Sequence, residues 1–243
     1  TILPVAPGGA DLSMAGTRAY FPLVGLGLGG ILAGLELAAR EVLPPLVVGA
    51  LLVIALVLLT RAIHIEGFLD ACDGLFGGFT RERRLEILHD SNVGAFAVIG
   101  GACLIMLKWS LLVGLVGVER TCILILFPCL SRLGMLTTMA AFPYARDQGM
   151  GTAFQSGRGW WQVAFGLATA ATASTLLIGG AGGILLVAAL VVSLAFGRWV
   201  RGLLGGMTGD TYGAVNEIAE VTVLMTAIVL LDVAANLFQS PLP

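Results

Sequence analysis

FPLVGLGLGGILAGLELAA, residues Phe21 to Ala39, carries a single charge, Glu36, in an otherwise apolar run. A helix that crosses a bilayer needs about 20 mostly apolar residues, and this stretch has that length. Six further runs of the same kind follow, over 44–60, 93–118, 121–143, 162–178, 181–197 and 218–238. The stretches 61–92, 144–161 and 198–217 between them hold most of the charge. Connections near 40–44, 119–120 and 179–183 are very short, which suits antiparallel neighbours. These features predict an all-α, polytopic integral membrane bundle of about seven transmembrane helices, forming one domain over residues 1–243. Glycines four residues apart, Gly25/Gly29 and Gly30/Gly34, suit close helix approach.

Composition agrees. The chain has 243 residues, 58% hydrophobic and 12% charged, with a mean hydropathy of +0.97. A soluble domain is typically about 45–50% apolar and about 25% charged. A net charge of −2 excludes a broad basic surface and so argues against a nucleic-acid partner. Cys72, Cys103, Cys122 and Cys129 form no CxxC pair and imply neither a disulfide framework nor a zinc site. No basic, h-region-type signal peptide is expected at the N-terminal end.

Charge placement predicts an orientation. With a cytoplasmic N-terminal segment and seven crossings, Arg18, Arg61, Arg81, Arg83, Arg84, Arg146, Arg158, Arg198 and Arg201 lie on the cytoplasmic side. Arg40 and Arg120 alone lie outside, and Lys108 and Arg132 fall within spans. The excess of inside cations favours this topology, in the cytoplasmic (inner) membrane. All three long charged loops then share the cytoplasmic face, where one active site can draw on them all.

The densest acidic stretch is HIEGFLDACDG, His64 to Gly74. In a helix, Glu66, Asp70 and Asp73 stand at i, i+4 and i+7 and share one face. Three like charges on one face repel by up to a few tenths of a kcal/mol per pair, which a cation would relieve. Hard oxygen ligands suit Mg²⁺ or Ca²⁺, and Mg²⁺ commonly takes one or two carboxylates with phosphate oxygens and waters. The plainer alternative is a solvated acidic helix end. His64 is either a ligand, an acid/base group or a structural histidine, and His89 reads as a loop residue.

Lys108 and Arg132 stand near the middle of apolar spans, with Ser131 beside Arg132. A central cation costs about 2.5–3.5 kcal/mol on insertion scales, so it normally faces a polar cavity or partner. Either a neutralising carboxylate or a substrate satisfies that need. Glu36 and Asp232 lie nearer the outer ends, where hydration is easier, and are given no role. GDTYGAVNEIAE, Gly209 to Glu220, brings Asp210, Asn216, Glu217 and Glu220 to a helix entrance. Either Asp210 or Asn216 simply caps that helix, or the segment supplies a second set of oxygen ligands facing the first across the bundle. In the 144–161 loop, Tyr144, Arg146, Asp147 and Arg158 are placed to contact an anionic substrate or lipid headgroups.

Six stretches together resemble the cobalamin synthase family, the membrane-bound adenosylcobinamide-GDP ribazoletransferases. They are FPLVG (21–25), HIEGFLDACDG (64–74), RERRLEILHDSNVGAFAV (81–98), CLSRLGM (129–135), PYARDQGMGTAF (143–154) and GMTGDTYGAVNEIAE (206–220). They keep the family's order along most of the chain. The family more often has Asp at the position of Glu66 and Arg at that of Asn92.

The resemblance implies a transferase of late cobalamin assembly. Adenosylcobinamide-GDP, a GDP-activated corrinoid, would pass its phosphocobinamide to α-ribazole or its 5′-phosphate and release GMP. It implies Mg²⁺, one or two ions with Mn²⁺ as a substitute, on Glu66, Asp70 and Asp73. Arg132 and Lys108 would neutralise phosphate oxygens. Arg81, Arg84 and Arg146 would meet substrate at the mouth, with His64, Ser91, Ser131, Asn216 and Glu217 as further contacts. Asp90 is the first choice for general base and Asp210 the second. Membrane lipid is the remaining partner, and a homo-oligomer is compatible with this reading. Two other readings compete. A CDP-alcohol phosphotransferase would need an Ala-Arg after Asp73-Gly74 that is missing, and a transporter would fit the intramembrane charges but not the lack of an internal repeat.

Overall fold

A computed structural model describes residues 14–90, 92–117, 119–146, 159–234 and 237–238. A short turn of helix, α1 (Met14–Thr17), and a 3₁₀ turn (Arg18–Tyr20) lead into α2 (Phe21–Ala39). There follow α3 (Pro45–Leu59), α4 (Ile63–Gly77), α5 (Arg81–Ile87), α6 (Ala95–Gly114) and α7 (Arg120–Ala141). Three more long helices follow among the described residues: α8 (Trp160–Ile178), α9 (Gly180–Leu204) and α10 (Gly209–Val233). The described residues form no strand beyond an isolated bridge between Tyr144 and Met207.

Six of these helices are long and apolar enough to cross a bilayer: α2, with the 3₁₀ turn before it, and α6 to α10. The seventh expected span, 44–60, is the 15-residue α3, which joins α4 through a 90° bend. Arg61 and Ala62 turn that corner in the left-handed region, at φ 51° and 59°. At about 1.5 Å per residue α3 covers roughly 22 Å, and α4 departs at a right angle from it across the end of the bundle.

Helix α7 is the axis. Its apolar window is 83% buried, against 28–50% for the other five spans. Leu124, Phe127, Leu130 and Leu133 are fully enclosed. Against it α2 packs closely, because a Cβ on Gly25 would overlap Cys129 and Pro128, and one on Gly29 would overlap Ile125. Gly30 and Gly34 face open space, so only the first of the two expected glycine pairs makes a helix contact.

Two polar stretches expected as loops are largely helical. Residues 61–92 contain α4 and α5, and α10 begins at Gly209, well before the expected 218. Hydropathy misplaces that boundary because Asn216, Glu217 and Glu220 point into the bundle and find charged partners there. The cap of α10 is Thr208, whose hydroxyl accepts from Thr211 N at 3.3 Å, and neither Asp210 nor Asn216. Glu36, expected to be hydrated, is 1% exposed and pairs with Arg120 at 3.1 Å. An ionised carboxylate at that depth is costly without such a partner.

The charged segments do converge on one end. Ala145 N donates to Met207 O and Met207 N to Pro143 O, both at 2.8 Å. Gly67 and Gly213 let α4 and α10 cross closely: a Cβ on Gly67 would stand 2.8 Å from Asp210 O, and one on Gly213 2.9 Å from His64 O.

The two faces of α2 predict different outcomes. Gly29→Ala is expected to cost about 1–3 kcal/mol through overpacking against the Ile125 backbone, read as a lower thermal-unfolding midpoint in detergent, whereas Gly30→Ala keeps the wild-type midpoint.

Candidate active site

The acidic face of α4 is a crossing point of three elements, and its residues differ in what they touch. Glu66 is exposed and Asp70 half-buried. Asp73 is buried, and both its oxygens accept backbone N–H groups at the start of α6, from Gly94 at 2.6 Å and Ala97 at 2.9 Å. Free N–H groups at a helix start need such acceptors, so Asp73 caps α6. Burial first, and then the charges of Asp210, Glu66 and Asp73, push the Asp70 carboxyl up to about 6. Asp210 thus joins Glu66 and Asp70 from α10, across the Gly67/Gly213 contact. Arg146 Nη2 lies 3.5 Å from Asp210 Oδ2 and brings one cation to the group.

The other expected mouth residues divide. Arg81 donates to Leu204 O at 2.8 Å and Ala145 O at 3.2 Å, so it clasps the end of α9 to the 143–146 segment. Arg84 donates to Leu75 O at 3.4 Å, near the end of α4. Both arginines therefore spend Nε on the architecture of the mouth. Asp90 is exposed and accepts from Asn92 twice, from the backbone at 3.0 Å and from the side chain at 2.6 Å. Those donors hold its carboxyl below the ordinary range. Ser91, Asp147 and Arg158 lie outside the described residues.

A second polar layer lies deeper. Lys108 of α6 pairs with Glu217 and, at 2.7 Å, with Glu220, both on α10. Arg132 Nη1 of α7 lies 3.3 Å from Glu220 Oε1, which also accepts from Asn216 Nδ2 at 3.0 Å. Arg132 Nη1 further donates to Pro128 O at 3.0 Å, and the Ser131 hydroxyl approaches Glu220 at 3.5 Å. Lys108, Arg132, Glu217 and Glu220 are 5%, 1%, 5% and 0% exposed. Two cations thus meet two carboxylates with no charge left over. His64, 8% exposed, lies at the edge of this layer within electrostatic reach of Arg132, Glu220 and Lys108.

The family resemblance made Lys108, Arg132, Ser131, Asn216 and Glu217 substrate contacts, with a neutralising carboxylate as the alternative partner for the two cations; here the carboxylates of Glu217 and Glu220 are those partners. Sequence reasoning placed Glu220 only within a segment of possible oxygen ligands, although Glu220 is the residue that joins the others. The i, i+3 and i, i+4 spacing of Glu217, Glu220 and Asn216 inside a span, opposite two mid-span cations, was the available signal.

The mouth offers carboxylates to a cation and a guanidinium to an anion, which is the equipment for a phosphorylated substrate. Among the described residues, no three histidine, cysteine, aspartate or glutamate groups stand close enough to hold a metal ion by themselves.

Comparison with known proteins shows the family. Residues 1–228 match the family described as cobalamin-5-phosphate synthase. A protein of Roseiflexus sp. (strain RS-1) named adenosylcobinamide-GDP ribazoletransferase is 38% identical over 229 residues, covering 93% of this chain and 85% of the relative. Its namesake in Desulfitobacterium hafniense (strain Y51) is 43% identical over 222 residues, with 87% and 85% covered. A third, in Deinococcus radiodurans, is 39% identical over 221 residues, with 90% and 77% covered. No solved structure matches the chain. This polytopic helical bundle, matched along nearly its whole length, belongs to the cobalamin-5-phosphate synthase family.

Proposed function

We propose that this chain joins adenosylcobinamide-GDP to α-ribazole or α-ribazole 5′-phosphate, giving adenosylcobalamin or its 5′-phosphate and GMP. A ribose hydroxyl oxygen bonds to the phosphorus that carries the cobinamide. The bond from that phosphorus to the bridging oxygen breaks, GMP leaves with the electron pair, and the hydroxyl proton passes to a base. The observation that carries this reading is the grouping of Glu66, Asp70 and Asp210 with Arg146 at one end of the bundle. The names borne by the relatives supply the substrates.

The mouth fits Mg²⁺, or Mn²⁺ in its place, as an ion that arrives with a diphosphate. Such an ion takes one or two carboxylates and fills its shell with phosphate oxygens and water, and the crowded carboxylates around Asp70 are short of positive charge. Glu66 and Asp70 would hold it, and it would offset charge on the diphosphate. Asp73, expected as a third ligand, has both oxygens on the α6 amides.

Arg146 has the geometry to turn from Asp210 to phosphate oxygens, where a guanidinium makes paired, charge-assisted hydrogen bonds. Asp210 is the better candidate for the base. It sits beside Asp70 and Arg146, whereas the Asp90 carboxylate is occupied by Asn92 and has lost basicity to it. The excess of cations on this end supports placing it on the cytoplasmic side of the inner membrane.

The decisive assay supplies GDP-activated corrinoid and α-ribazole phosphate to protein in liposomes. GMP and a joined product are expected in equal amounts with Mg²⁺ and neither with EDTA; a folded, metal-replete protein that forms no product overturns the proposal. Asp210→Asn is expected to slow turnover about 10²–10⁴-fold, the usual contribution of a general base, while Asp90→Asn keeps wild-type turnover.

Binding should also depend on pH. Because the Asp70 carboxyl is raised to about 6, it takes up a proton as pH falls through that value and ceases to attract a cation. Mn²⁺ affinity in the presence of GDP, followed by electron paramagnetic resonance, is expected to weaken below about pH 6, and the weakening is expected to disappear in Asp70→Asn.

A further inference from the structure

Helices α4, α7 and α10 enclose polar atoms that the ion pairs do not use. Among the described residues, Arg132 Nε and Nη2, His64 Nε2 and Asn216 Oδ1 are buried with no hydrogen-bond partner. Their side chains belong to one neighbourhood. Arg132 and Asn216 both bind Glu220 Oε1, and the His64 backbone packs on Gly213, one turn before Asn216 on α10. Buried polar atoms of native proteins are nearly always satisfied, by protein or by water. Leaving several unpaired in one place is costly, because each has given up its water without gaining a partner.

We infer that this part of the bundle is an internal binding site for ordered water, bounded by Arg132, His64 and Asn216. Two features select water over an anion. Lys108 and Arg132 already balance Glu217 and Glu220, so an anion would leave a net buried charge. The amide of Asn216 must turn Nδ2 to Glu220, whose carboxylate accepts, and this leaves the Oδ1 lone pairs facing the site. An anion there would meet an acceptor. Water donates to Asn216 Oδ1 and accepts from the Arg132 Nε and Nη2 edge, and it satisfies His64 Nε2 in either tautomer. Buried waters typically make about three such bonds. The water would connect α4, which carries Glu66 and Asp70, to α7 and α10.

Synchrotron hydroxyl-radical labelling read by mass spectrometry tests this, because radicals form on bound water and mark the side chain next to it. The protein has two histidines, buried His64 and exposed His89, so one sample contains its own reference. His64 is expected to label at a rate of the same order as His89, and in Asn216→Leu its rate is expected to drop several-fold while that of His89 stays. Background labelling of wild-type His64 overturns the site, as does an unchanged His64 rate in a folded Asn216→Leu. If that variant does not fold, a high-resolution cryo-electron microscopy map of the wild type decides. Density within hydrogen-bond distance of Arg132 Nη2 and Asn216 Oδ1 supports the site, and its absence overturns it. None of these readouts requires turnover, so they stand or fall apart from the proposed reaction.

Discussion

Glu220 holds one oxygen against Lys108 and the other against Arg132 and Asn216, at full burial in the middle of an apolar bundle. A lipid-embedded fold admits ionised groups only where they are paired, so these four charges restrict how the helices can sit. Helices α6, α7 and α10 must meet where Lys108, Arg132, Glu217 and Glu220 meet. Once α10 is fixed, its first turns place Asp210 and Gly213, and the Gly67/Gly213 contact brings α4 across them. The acidic mouth is a consequence of the charge network beneath it.

The mouth itself shows a division of labour among residues of the same type. Of three carboxylates on one face of α4, Asp73 caps a neighbouring helix while Glu66 and Asp70 face Asp210. Of three arginines around it, Arg81 and Arg84 bind backbone carbonyls, and Arg146 meets a carboxylate on α10. Asp70 and Asp210 raise one another's negative potential, with Arg146 as partial compensation. A cation and an anionic substrate arriving together would relieve both sides of that imbalance.

Much of this was legible in the sequence. Long apolar runs gave the helical membrane bundle, the glycine pair at 25 and 29 gave a close helix contact, and charge placement gave the shared end. The spacing of Glu66 and Asp70 put both on one face. Other features were hidden because they depend on partners distant in sequence. Asp73 has the same local pattern as Asp70, and only the arrival of Gly94 and Ala97 makes it a cap. The start of α10 looked like a loop because its polar residues are paired from α6 and α7, which a hydropathy window cannot register. Glu36 looked hydrated for the same reason, since Arg120 meets it from the start of α7, some eighty residues on. Lys108 and Arg132 were recognisable as intramembrane cations in need of partners, but whether protein or substrate supplied them was a question of three-dimensional packing.

The inner charges hold the bundle, whereas the mouth carboxylates are proposed to act on substrate. Thermal-unfolding midpoints of Lys108→Met and Asp70→Asn, measured side by side in the same vesicles, test this division most directly. Removing one partner from a buried ion-pair network typically costs roughly 3–5 kcal/mol, so Lys108→Met should unfold well below the wild type while Asp70→Asn unfolds with it. A Lys108→Met protein as stable as the wild type would contradict the account.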